Sequence, residues 1–239
     1  MVTRFIPLLL FVVLQGNPIR AQQLDAHDFG TDYTSAKEWL HSSEAHWKKL
    51  EQDGYDKRLA MAVIFPELLR YSRLRDKIEL FALQVLYIQF GKDYADFSIG
   101  PFQMKPSFAE QLDVNFSQQQ PVEPETIANR KERVDLLNSA EGQFTYLRRF
   151  LQWMDKTYAK KHWNTAGEKI KFYASAYNCG FNKPESYITG MLRQKNFRLS
   201  ETSLETYNYS AIAAWFYYED ANTVNTQFIY LYGNNPSKP

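Results

Sequence analysis

The stretch KRLAMAVIFPELLRYS, Lys57 to Ser72, predicts a helix that is apolar on nearly every side. A run this apolar is interior in any fold, and Glu67 lies within it, directly after Pro66. Such a setting disfavours the charged carboxylate and holds its proton to higher pH. A general acid for glycoside cleavage needs that property. In the alternative interpretation, Pro66 breaks the helix and Glu67 points into water from the helix end.

Helical periodicity also dominates the rest of the chain. DKIELFALQVLYIQFG predicts a strongly apolar helix that Gly91 ends, and QQQPVEPETIANRKERVDLL predicts a polar loop followed by a charged helix. EGQFTYLRRFLQWMDKTYAKKHW predicts an amphipathic helix. Its apolar face consists of Phe144, Leu147, Leu151 and Met154.

Three further segments have helical spacing: SAKEWLHSSEAHWKKLEQ, EKIKFYASAYNCGF and SLETYNYSAIAAWFYYEDAN. No alternating run of useful length suggests a sheet. The sequence therefore predicts a mainly α chain, with irregular connections at residues 91–106 and 178–190. Its 239 residues are enough for one sizeable core, and no Gly/Ser linker divides it, so a single folded domain is expected.

The first residues, MVTRFIPLLLFVVLQGNPIRAQQ, combine Arg4 with an apolar run from Phe5 to Leu14. This run is too short to span a bilayer, so residues 1–21 are predicted to be a secretory signal peptide, with an uncleaved interfacial anchor as the alternative. The expected location is periplasmic or extracellular. Cys179 is the single cysteine, which excludes an intramolecular disulfide, and the net charge of +1 gives no argument for nucleic acid.

A second stretch, FSIGPFQMKPSFAEQL, does not read as one regular element. Gly100 and Pro101 interrupt any helical period, and Gln103 lies between apolar neighbours. An unpaired amide inside an apolar bend is costly. Gln103 therefore either ties the bend to backbone or faces a polar ligand.

Four short segments in chain order carry a resemblance to a known family: FPELLRYS, FSIGPFQMKPSFA, SAYNCGF and LETYNYSAI. They resemble the four signatures of the soluble lytic transglycosylase and goose-type lysozyme family. The resemblance spans roughly residues 58–220 and implies a lysozyme-like single domain. Residues 22–57 would then form an N-terminal helical extension and residues 221–239 a C-terminal tail.

Carried across by position, the resemblance implies that Glu67 is the catalytic acid/base. It implies substrate binding by Gly100, Gln103, Tyr177, Asn178 and Tyr209. It gives Glu205 and Thr206 a supporting role. Remaining matched positions are Pro106 and Ala109 of the second signature, and Ala176 and Gly180 of the third.

Two departures from the family pattern concern the cleft. Leu68 stands where the family usually has serine, which removes a polar neighbour of the acid. Glu67 and Gly100 are 33 positions apart, more than is usual, because the DKIELFALQVLYIQFG helix is inserted between them. Glu79 lies inside that insertion and is a rival acid.

The implied activity is cleavage of the MurNAc-GlcNAc β-1,4 bond of peptidoglycan with formation of 1,6-anhydromuramoyl ends, by one glutamate. A hydrolytic muramidase would want a second carboxylate, for which Asp93 and Asp96 are candidates by position. A non-catalytic peptidoglycan-binding or assembly protein on the same fold is the other alternative.

The expected partners are peptidoglycan glycan strands and cell-envelope machinery, and the chain is expected to be a monomer. The four histidines lack ligand spacing, so no metal or cofactor is expected.

Overall fold

The computed structural model describes residues 24–72, 77–116, 125–200 and 202–219, and the predicted signal peptide and residues 221–239 lie outside them. In these ranges the chain is mainly helical and has no strand, which confirms the predicted mainly α class. A 3-10 helix, Ala26–Asp28, is followed by α1 (Thr31–Ser42), α2 (Glu44–Gln52), α3 (Lys57–Tyr71), α4 (Lys77–Phe90), α5 (Pro106–Phe116), α6 (Ile127–Leu137), α7 (Ala140–Thr157), α8 (Ala166–Cys179), α9 (Glu185–Met191) and α10 (209–219).

Helix α3 is the centre of the core. The side chain of Asp56 caps its first turn by accepting hydrogen bonds from the backbone amides of Arg58 and Leu59, at 2.9 and 3.0 Å. All residues from Leu59 to Leu69 are buried, and the helix packs against α1 and α8. The helix continues through Pro66, so the interpretation in which this proline breaks the helix and exposes Glu67 is wrong.

Further contacts between helices complete the core. Helix α2 packs against both α3 and α7, while α4 packs on α6, and α5 packs on α6 and α7. Helix α4 ends at Phe90 and is followed by Gly91 with φ of 84°, as predicted for this glycine. The four predicted face residues of α7 are all buried. This is the outcome that an amphipathic helix on a core requires.

Helix α7 ends at Thr157, six residues before the end of the predicted segment at Trp163. Three further sequence predictions about helix boundaries are corrected by the structure. The segment SAKEWLHSSEAHWKKLEQ is not continuous, because Ser43 separates α1 from α2. The indole N–H of Trp47 donates to the carbonyl oxygen of Leu40 at 3.1 Å and so satisfies a carbonyl group at the end of α1. Residues 178–190 are likewise not wholly irregular, since they contain the last two residues of α8 and most of α9.

The third correction concerns the start of α10. Residues 203–208 are not helical, because Tyr207 exchanges backbone hydrogen bonds with Phe197 at 2.7 and 3.1 Å. The side-chain oxygen of Asn208 then accepts from the backbone amide of Ala211 at 2.8 Å, which caps the new helix. Periodicity alone does not reveal this pairing, because Phe197 is ten positions away in sequence.

Candidate functional site

Glu67 lies in the interior near the end of α3. The residue is 6% exposed, and its Oε2 atom has no hydrogen-bond partner among the described residues. Burial raises the pKa of its carboxyl from 4.5 to about 7, against the opposing effects of the nearby Arg70 charge and of Tyr209. Because this pKa is close to 7, the carboxyl is present in both protonation states near neutral pH. The unpartnered Oε2 atom also needs an explanation, since a buried polar atom without a partner is rare in folded proteins.

Two buried tyrosines surround this carboxyl. The hydroxyl of Tyr209 donates to the carbonyl oxygen of Val63 at 3.1 Å, and the hydroxyl of Tyr177 donates to that of Phe102 at 2.8 Å. Burial, followed by the charge of Glu67, raises the pKa of both tyrosines well above 10, so both stay neutral. The Tyr209 hydroxyl also lowers the pKa of Glu67, because a hydrogen bond from this hydroxyl stabilises the carboxylate.

The structure thus brings together three of the residues predicted from the sequence, from three different helices. Glu67 belongs to α3, Tyr177 to α8 and Tyr209 to α10. Within α3, Pro66 lacks the amide hydrogen that a regular helix donates four positions back, and proline locally perturbs the helical ladder. The carbonyl group of Val63 belongs to this turn and accepts the additional bond from Tyr209.

Gln103 occupies the tip of the bend between α4 and α5. It has a positive φ of 49°, and its side-chain Nε2 donates to the carbonyl oxygen of Gly100 at 2.7 Å. The amide group therefore ties the bend to its own backbone, which is the first of the two interpretations offered by the sequence. Gln103 and Gly100 also line the neighbouring cleft, so contact with a ligand is compatible with this geometry.

A residue that the sequence analysis did not identify, Gln143 of α7, holds this bend in place. Its Oε1 accepts from the backbone amide of Phe102 at 2.9 Å, and its Nε2 donates to the carbonyl oxygens of Ile99 and Leu137 at 2.8 and 2.6 Å. A Cβ atom at Gly100 would come within 2.0 Å of that Nε2. The available signal was a glutamine beside Phe144 on the apolar face of an amphipathic helix.

A cleft of about 1160 Å³, called the main cleft below, runs beside the end of α3. Its lining includes Leu68 and Arg70 of α3, Gly100 and Gln103 of the bend, Leu80, Phe81 and Leu83 of α4, and Leu199, Ser200 and Thr202. Helix α4 therefore forms one wall of the cleft rather than closing it. Glu67 is buried and does not line the cleft, but its sequence neighbour Leu68 and Arg70, whose charge acts on the Glu67 carboxyl, both do.

A smaller cavity of about 500 Å³, called the side pocket, adjoins the main cleft. Arg70 and Ser200 line both spaces. The other polar side chains that line the side pocket are Asn178, Tyr187, Asn196 and Arg198. Asn178, predicted to bind substrate, thus faces a space adjoining the main cleft.

The remaining predicted residues lie in other settings. Glu205 is exposed and Thr206 half-buried in the loop before α10, and neither lines the main cleft or the side pocket. Asp96 lines the main cleft, but its two oxygens accept hydrogen bonds from the backbone amide and the hydroxyl of Ser107, at 3.1 and 2.8 Å. Asp93 is exposed, and the side chain of Glu79 lies outside the described residues.

No family model matches the chain, and the searches of curated proteins and of solved structures likewise found no match. Within the described ranges, no group of three or more histidine, cysteine, aspartate or glutamate side chains is placed to hold a metal ion. None of the helices in that part of the chain is both long and apolar enough to cross a membrane.

Proposed function

We propose that this chain is a peptidoglycan lytic transglycosylase with a lysozyme-like domain. It cleaves the MurNAc-GlcNAc β-1,4 bond and leaves 1,6-anhydromuramoyl ends. The observation that carries the proposal is the buried carboxyl of Glu67, with a pKa of about 7, next in sequence to Leu68 of a cleft large enough for a carbohydrate chain. The four sequence segments that resemble the family signatures support it independently.

In the proposed reaction a single carboxyl group acts twice. Protonated Glu67 donates its proton to the glycosidic oxygen as the bond to the anomeric carbon breaks. The 6-hydroxyl of the same muramoyl sugar then attacks that carbon, and the Glu67 carboxylate takes the hydroxyl proton. Because nucleophile and electrophile belong to one sugar, proximity replaces an activated water molecule.

The surroundings of Glu67 suit both halves of this cycle. Desolvation favours the protonated acid before cleavage, while the positive charge of Arg70 and the hydroxyl of Tyr209 favour the carboxylate that follows. Because the residue is only 6% exposed, the reaction also requires a side-chain movement that brings the carboxyl group past Leu68 to the cleft surface.

A hydrolytic muramidase receives less support from the geometry. A hydrolase of the usual kind needs a second carboxylate to activate water or attack the sugar. Asp96 is the cleft aspartate in the described residues, and its oxygens already bond Ser107 at the start of α5. This arrangement is typical of a structural cap rather than a catalytic base.

A non-catalytic glycan-binding or assembly protein is the second candidate. The burial of Glu67 and the position of Leu68 in the cleft lining favour it, because a carboxyl group that never reaches the sugar cannot donate a proton. In either case, the substrate lies outside the cytoplasm, consistent with the predicted signal peptide at residues 1–21. The proposed partners are glycan strands and cell-envelope machinery, and the proposed oligomeric state is a monomer.

The deciding experiment is mass spectrometry of muropeptides released from purified peptidoglycan by the wild type, by Glu67→Gln and by Glu132→Gln. Glu132 is exposed on α6, away from both cavities, and serves as the matched control. We expect anhydro-ended products from the wild type and the control, and a loss of at least about a hundredfold in Glu67→Gln. Reducing-end products would assign a hydrolase. Binding to peptidoglycan without any released product would assign the binding protein.

A further inference from the structure

The side pocket is basic and polar, whereas the main cleft has a mixed lining of apolar and polar residues that includes Asp96. Two arginines, Arg70 and Arg198, line it, and neither aspartate nor glutamate is among its described lining residues. Lys183 adds a third positive charge close by, since its Nζ lies 5.9 Å from the ring centre of Tyr187 in the pocket wall. Such a concentration of positive charge in a pocket wall attracts an anion.

Neither arginine forms an ion pair with a carboxylate in the described part of the chain, although the charge of Arg70 acts on the buried Glu67. Arg70 lies over the ring of Phe197, with 5.9 Å from its guanidinium carbon to the ring centre, and no ion pair joins it to a described carboxylate. Arg198 is exposed between two buried residues, Phe197 and Leu199, which turn its side chain toward the pocket. Planar guanidinium groups form paired hydrogen bonds with carboxylates, and aromatic stacking fixes the plane of one of them.

The position of the side pocket relative to Glu67 identifies the anion. Arg70 is one helical turn after Glu67 and also lines the main cleft, so the side pocket opens next to the bond that would be cleaved. On the proposed function, the muramoyl sugar has its anomeric carbon at Glu67. That sugar also carries the lactyl group from which the peptide stem extends, and the stem bears free carboxylates.

We propose that the side pocket binds a carboxylate of the peptide stem, with Arg70 and Arg198 as the binding side chains. The inference rests on the proposed function and assigns its substrate as glycan strands that still carry peptide stems. The amide groups of Asn178 and Asn196 and the hydroxyl of Ser200 supply further hydrogen bonds for the peptide backbone.

The test compares cleavage of peptide-bearing strands with cleavage of the same strands after an amidase has removed the stems. The variants are Arg198→Ala and, as matched control, Arg193→Ala, an exposed arginine of the same loop that lines neither space. We expect Arg198→Ala to lower kcat/KM about tenfold on peptide-bearing strands only, because one charge-assisted contact is lost. Two results would overturn the inference. One is an equal kcat/KM of the two variants on peptide-bearing strands, and the other is an equal loss in Arg198→Ala on strands with and without stems.

A binding measurement separates failure of this inference from failure of the proposed function. Isothermal titration calorimetry would use a soluble stem peptide and its fully amidated form, neither of which contains a glycosidic bond. If neither the wild type nor the variants cleave strands with or without peptide stems, the proposed function fails. Binding of the free acid that Arg198→Ala weakens about tenfold still supports the pocket, while no binding of the acid at millimolar concentration rejects it.

Discussion

The bend at residues 97–106 and the surroundings of Glu67 both place polar groups in an apolar interior, with opposite outcomes. In the bend, Gln143 and Gln103 pair with backbone groups of the bend itself and of α6. At Glu67, the Oε2 atom has no partner among the described residues. Satisfied buried amides hold a structure together, whereas an unsatisfied carboxyl group costs stability and is retained for another reason.

The comparison teaches that burial of a polar residue is not by itself evidence of a binding role. Gln103 attracted attention in the sequence because an amide in an apolar bend is costly, yet its bond to Gly100 accounts for its burial. Glu67 attracted attention for the same reason, and its Oε2 atom has no hydrogen-bond partner among the described residues. A functional role is therefore better supported at Glu67.

Replacing Gln143 by leucine should have the largest effect on stability. The change leaves the amide of Phe102 and the carbonyl oxygens of Ile99 and Leu137 without their partners, so we expect the free energy of unfolding to fall by about 3 kcal/mol or more. Urea denaturation measures this change. The control is Gln152→Leu, an exposed position of the same helix, where less than about 0.5 kcal/mol is expected. Similar values for the two variants would mean that the bend does not depend on Gln143.

The second prediction concerns the pH dependence of stability. Burial raises the pKa of Glu67 from 4.5 to about 7, so the folded protein binds this proton more tightly than the unfolded chain. The free energy of unfolding should therefore fall as pH rises from 4.5 to about 7, by about 3 kcal/mol from this group.

Glu67→Gln removes that titration and isolates the contribution of this one group. Urea denaturation of both proteins at several pH values should give curves that diverge across this interval, with the wild type losing more stability as pH rises. Parallel curves would show that the carboxyl group is solvated in solution, and the contrast with the bend would disappear.

The third prediction concerns Gly100→Ala. The new Cβ would lie 2.0 Å from Nε2 of Gln143, at a residue with φ of 67°, so we expect a loss of about 2 kcal/mol. Gly54→Ala is the matched control, because Gly54 has φ of 91° but a Cβ added there would meet no atom within 4 Å. The control isolates the backbone cost of about 1 kcal/mol, and thermal or urea denaturation measures both. Equal losses would show that Gln143 moves aside freely.

Sequence periodicity predicted helices well where one helix face alone meets the core. Helix α4 ends and α7 begins close to the predicted positions, since their apolar spacing and the terminal Gly91 are local signals. Periodicity was wrong where a distant residue intervened. The Trp47 indole helps to end α1, and the pairing of Tyr207 with Phe197 delays α10.

The candidate site was predictable only in part. Glu67 could be identified because the apolar run around it is continuous in sequence, and the resemblance supplied Tyr177 and Tyr209. Gln143 was not identified, because its three partners lie in the bend and at the end of α6. Single polar residues on an apolar helix face give no indication of which backbone groups they will meet.

The sequence by itself determined the helical class and the buried course of α3, because both follow from side-chain spacing within a few turns. Tertiary structure alone decided the protonation of Glu67 and the junction of the main cleft with the side pocket at Arg70. Both depend on contacts between distant parts of the chain, such as the bond from Tyr209 to Val63 across 146 positions. Desolvation and charge act through space, so they are fixed only when the helices pack together.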